Sequence, residues 1–129
     1  MRKIITAALV SALAPLGAQA QDVAQGQDLF NHKCAACHQK TGQGVKGAFP
    51  ALAGDPFVQG DAEPMVRTVL QGRGGMPTFA AVLSEQQLAD IISYVRQAWG
   101  NSAPAVDAAF VTQVKNNAHP QDKAPVVTH

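Results

Sequence analysis

Cys34-Ala35-Ala36-Cys37-His38 is the stretch whose reading decides the fold. Two thiols three residues apart, with an imidazole directly after the second, read as an attachment site for a c-type haem. The spacing has a chemical reason. Each thiol adds across one vinyl group of the macrocycle to form a thioether. Residues three apart on a helix lie on the same side, so both sulfurs reach one ligand. His38 is then placed to offer a ring nitrogen to the iron from one face. Other uses of a cysteine pair fit less well. A thioredoxin-type pair sits in a βαβ context, and no strand pattern surrounds this one. A structural zinc site takes four ligands, usually from two ligand pairs. The chain has no second pair, and His119 and His129 lie far off in a polar tail. A plain disulfide leaves the adjacent His38 unexplained.

A haem held by His38 alone is open on its other face, which describes an enzyme or a sensor of gas or peroxide. A thioether in the sixth position closes the iron and raises its reduction potential. Apart from the initiator there are two candidates, Met65 and Met76. Met65 sits in the amphipathic helical pattern Glu63-Pro64-Met65-Val66-Arg67-Thr68-Val69-Leu70, where a methionine is ordinary core filler. Met76 sits in Gly72-Arg73-Gly74-Gly75-Met76-Pro77. Small residues there let the backbone come close to a flat cofactor, and Pro77 stiffens the next turn. Met76 is the expected sixth ligand.

Upstream, Met1-Arg2-Lys3 is a positive leader, Ile4 to Leu16 is mostly apolar, and Ala18-Gln19-Ala20 is a small-x-small cleavage pattern. The three parts together read as a secretory signal peptide cut after Ala20. The apolar run is too short to span a bilayer comfortably. The mature chain is therefore expected in a periplasm-like space, with no transmembrane segment. Cleavage leaves eight bases against nine acids. That balance excludes a nucleic-acid binder, which needs a basic face. The 47% apolar content excludes a disordered chain, and two cysteines exclude a disulfide-dense mini-protein.

Helical signals dominate the rest of the 129 residues. Val23, Gly26, Leu29 and Phe30 form a stripe running into the cysteine motif. Asp61 caps a helix running to about Gln71, with Pro64 tolerated in its first turn. Ser84-Glu85-Gln86-Gln87 is a capping box. It opens a helix with Leu88, Ile91, Ile92, Val95 and Trp99 on its core face, ended by Gly100-Asn101. No alternating strand pattern is convincing. The expected fold is all-α: three to five short helices wrapped around one covalent haem. Phe49, Leu52, Phe57, Val69, Leu70, Phe79 and Val82 are its expected wall. Without the cofactor, so few aromatics and such long loops predict a poorly folded chain. The expected organisation is a leader over 1–20, a haem domain over 21–101 and a partly disordered extension over 102–129. Within the extension, Val106, Phe110, Val111 and Val114 suit one short helix lying on the domain.

Taken in order, Cys34-Ala35-Ala36-Cys37-His38, Pro50-Ala51-Leu52-Ala53-Gly54, Met76-Pro77 and the capped helix carrying Tyr94 resemble a class I (mitochondrial-type) cytochrome c. The likeness covers about residues 22–100. It implies a close crossing of the first and last helices of that domain through Gly26 and Phe30 against Tyr94. It implies that the carbonyl of Pro50 accepts a hydrogen bond from the axial imidazole. It implies an electron carrier rather than an enzyme. Gly47 to Gly54 and Tyr94 to Asn101 resemble, more narrowly, haem domains of cytochrome subunits of periplasmic or membrane-bound alcohol and aldehyde dehydrogenases. Those subunits usually carry several haems; this chain has one attachment motif. The implied partners are a redox donor and an acceptor: a dehydrogenase, a terminal oxidase or another cytochrome.

Overall fold

The computed structural model describes residues 21–117. The leader read over residues 1–20 and the tail from residue 118 lie outside the described residues. Six helices succeed one another: α1 Val23–Lys33, α2 Ala35–His38, α3 Pro56–Gln59, α4 Ala62–Gln71, α5 Glu85–Gln97 and α6 Ala108–Asn116. Among the described residues there is no strand, only single bridges between Val45 and Phe49 and between Arg73 and Met76. The fold is all-α, as expected. The helix count exceeds the expected three to five because α2 and α3 are single turns and α6 belongs to the extension.

Local chemistry explains where most helices start. A helix leaves its first N–H groups without internal partners. Asp22, Asp55, Asp61, Ser84 and Asp107 each accept one of them through a side-chain oxygen. At Ser84 the exchange is reciprocal. Gln87 N–H donates to Ser84 Oγ at 3.2 Å, and Ser84 N–H donates to Gln87 Oε1 at 3.0 Å.

The core forms where α1 crosses α5. Gly26 is buried there, and a Cβ at that position would collide with the main-chain carbonyl of Asp90. Its missing side chain is what lets the two backbones touch. One turn on, Phe30 is fully buried and its ring centroid lies 5.6 Å from that of Tyr94. The crossing of Gly26 and Phe30 against Tyr94 is thus present. Beyond α5 the chain returns as α6, which lays Val111 and Val114 on α5 and α4. Ser93 Oγ, fully buried, donates to the Val106 carbonyl and accepts from the Val106 N–H, both at 3.0 Å, and so fixes this return.

One expectation for α5 is corrected. Trp99 is not on its core face, because the helix ends at Gln97. Trp99 and Gly100 take φ values of +53° and +86°, and the Asn101 N–H closes the turn onto the Ala98 carbonyl at 2.9 Å. The turn swings the indole back over Phe30, with centroids 5.1 Å apart, while Nε1 donates to the Lys40 carbonyl at 2.9 Å. These contacts hold a bulky residue in a left-handed conformation it would otherwise avoid.

Candidate functional site

Between α1, α3, α4 and α5 lies a cavity of about 420 Å³ with mostly apolar walls. Cys34, Cys37, His38, Pro50 and Met76 all line it. These residues are spread along the chain, and each arrives at the common space by its own local device.

Cys34 ends α1, its N–H donating to the Phe30 carbonyl at 2.9 Å, and it begins α2. The single turn of α2 then carries Cys37 and His38. Cys34 is half-buried and Cys37 exposed; both are free thiols. Burial, with a smaller contribution from the neighbouring Cys37, pushes the Cys34 thiol up to about 11. His38 is 9% exposed, and its Nδ1 lies 3.0 Å from the Pro50 carbonyl oxygen. A carbonyl can only accept, so Nδ1 carries the proton. In the neutral ring Nε2 then has its lone pair, the form in which imidazole binds metals. Among the described residues, no three His, Cys, Asp or Glu side chains gather as a metal cage.

Met76 is held from both sides. Arg73 and Met76 exchange backbone hydrogen bonds of 3.2 and 2.9 Å, pinching off a tight hairpin. Beyond it, Thr78 Oγ1 donates to the Leu70 carbonyl, and Phe79 N–H to the Val69 carbonyl at 3.2 Å. Gly72 serves this hairpin: it has φ +72°, and any Cβ on it would strike the Met76 carbonyl. Gly75 carries no side chain where it borders the cavity. Met65 is buried on α4 at 6% exposure and also borders the cavity.

The wall needs two corrections. Phe49, Leu52, Phe57, Val69 and Phe79 line it as expected. Leu70 does not; one step round α4 from Val69, it is buried in the general core. Val82 is 61% exposed, because bonds from the Val82 and Leu83 N–H groups to the Phe79 carbonyl form a turn that sends Leu83 inward instead. Sequence reasoning missed Val58 and Leu83 as wall residues. It had Phe30, Ile92 and Val95 on helix faces without showing that those faces border a cavity.

A family model described as cytochrome C oxidase, cbb3-type, subunit III matches residues 21–95. The chain belongs to the cytochrome c family. Its relatives include the cytochrome c subunit of a quinone alcohol dehydrogenase from Gluconobacter oxydans, 33% identical over 77% of this chain and 23% of that one. Cytochrome c-552 of Thermus thermophilus is 32% identical over 67% of this chain and 68% of its own. Cytochrome c6 of Thermosynechococcus vestitus is 33% identical over 70% and 82%. The chain spans about a quarter of the length of the alcohol dehydrogenase subunits it matches. As a member of this family the cytochrome carries covalently bound haem c with its iron. The donor set agrees with that group: two thiols and a nitrogen-presenting imidazole on an apolar cavity that a thioether also borders. No helix among the described residues is long and apolar enough to cross a membrane.

Proposed function

We propose that this cytochrome carries single electrons between redox proteins, with one haem bonded through Cys34 and Cys37 and its iron held by His38 and Met76. The observation that carries the reading is the convergence of these four side chains and Pro50 on one apolar cavity. When bound, the haem supplies reversible one-electron chemistry at iron. The chain supplies the rest. The Pro50 carbonyl fixes the His38 ring plane and makes its free nitrogen a better donor. Met76 would supply a thioether to the iron, which favours the ferrous state, and the two cysteines would hold the cofactor in place. The haem domain spans residues 21–101, with residues 102–129 as an extension. Export by a leader cut after Ala20 places it in a periplasm-like space. Kinship with cytochrome subunits of dehydrogenases favours such an enzyme as donor, with an oxidase or another cytochrome as acceptor.

The test is the optical spectrum of protein exported from a host that matures c-type cytochromes. The intact mass should include one haem. Met76→Ala should abolish the weak sulfur-to-iron charge-transfer band of the ferric protein and lower the potential. Met65→Ala should keep the band. A high-spin ferric spectrum in the parent protein would instead assign it an open sixth site and peroxide or gas chemistry.

A further inference from the structure

Asp90 is the anomaly of the interior. It sits on α5 beneath the start of α1, with no exposed surface. Its Oδ1 accepts twice, from the Asp22 main-chain N–H and from Gln86 Nε2, both at 2.9 Å. Its Oδ2 has no hydrogen-bond partner among the described residues. A buried carboxylate oxygen without a donor is costly and calls for an explanation.

The residue before Asp22 offers one. The Gln21 nitrogen is three covalent bonds from the Asp22 nitrogen, which holds the two roughly 3 Å apart. Asp90, bonded through Oδ1 to the Asp22 N–H, therefore stands one residue from the Gln21 nitrogen. In an uncleaved chain that nitrogen is a peptide amide, with a single N–H fixed in the plane of the preceding peptide bond. As a chain terminus it is an ammonium, with three donors that rotate and a full positive charge.

We propose that removal of the leader after Ala20 creates the partner Asp90 lacks: the α-ammonium of Gln21 binds Oδ2 while the Asp22 N–H stays on Oδ1. The inference rests on the proposed export of the chain. It makes the cleavage register matter to the fold. A cut one residue earlier moves the charge beyond Oδ2. The pair clamps the start of α1 onto α5, beside the Gly26 contact. It also withholds the amine from a side reaction. A terminal glutamine cyclises when its neutral amine attacks its own side-chain amide carbon; a lactam C–N bond forms and ammonia leaves with the amine's proton. An ammonium held by Asp90 has no lone pair for that attack.

The experiment uses exported holoprotein. Intact mass first fixes the terminus and the haem. Haem present but a terminus other than Gln21 overturns cleavage after Ala20, and this pairing with it, while leaving the electron-carrier reading intact. With the terminus at Gln21, a matched protein carrying one extra alanine before Gln21 should unfold in guanidinium with an equilibrium constant about tenfold less favourable. In an Asp90→Asn background the extra residue should make no difference. On incubation at neutral pH, the Asp90→Asn protein should lose ammonia from Gln21 severalfold faster than the parent. The extension costing nothing in the parent, or equal rates of ammonia loss, would overturn the pairing. The extension arm stands without the Asn variant if that variant does not fold.

Discussion

Single side chains hold the loops of this cytochrome to its helices. Asn101 is 4% exposed and makes three bonds at once. Its Nδ2 donates to the Leu52 carbonyl at 3.0 Å and to the Val95 carbonyl at 2.9 Å, and its Oδ1 accepts from Gly54 N–H at 2.8 Å. Asn101→Ala leaves those main-chain groups without partners in a dry setting, so it should cost about 2–3 kcal/mol in guanidinium unfolding of the holoprotein. It should also loosen the loop that presents the Pro50 carbonyl. Arg96 works in the same way on the other side of α5. Nearly buried, it donates to the carbonyls of Val58, Gly60 and Pro104. Neither role was legible in the sequence. Asparagine after a helix reads as a stop signal, and arginine in a last turn reads as a dipole partner. What each touches depends on segments up to 49 residues away. The pentapeptide was legible because its chemistry is local: spacing alone puts both sulfurs and the imidazole on one short turn.

At the level of elements, the signals that proved readable were those satisfied within four residues. The Ser84 box is one, and Ser84→Ala should cost about 1 kcal/mol in the same unfolding assay. The end of α5 was misread, because the turn at Trp99 is imposed by ring contacts with Phe30 and Tyr94 and not by its own propensity. The docking of α6 has a pH signature. A hydrogen bond from Lys115 Nζ, 2.7 Å away, holds the Glu85 carboxyl below the usual carboxylate range. A depressed folded pKa adds stability above the unfolded value of about 4.3 and loses it as pH falls through the folded value. Lys115→Ala should therefore lower the melting temperature slightly near neutrality. It should also flatten its fall on acidification, a difference that melting curves recorded across the acid range will show.

For the whole molecule, the cavity of about 420 Å³ sits where a domain of this size would otherwise place its core. Its walls come from five helices and two loops, so without haem those elements lose their common packing partner. Protein with both Cys34 and Cys37 changed to alanine should show markedly less helical far-ultraviolet dichroism than the holoprotein and no cooperative melt; a full native spectrum would contradict this. The same feature orders the events of maturation. Until a porphyrin arrives, the elements around the cavity have nothing in common to close on. Capture by Cys34 and Cys37 therefore comes before final packing, and the ligand that the thiols seize becomes the template for the fold.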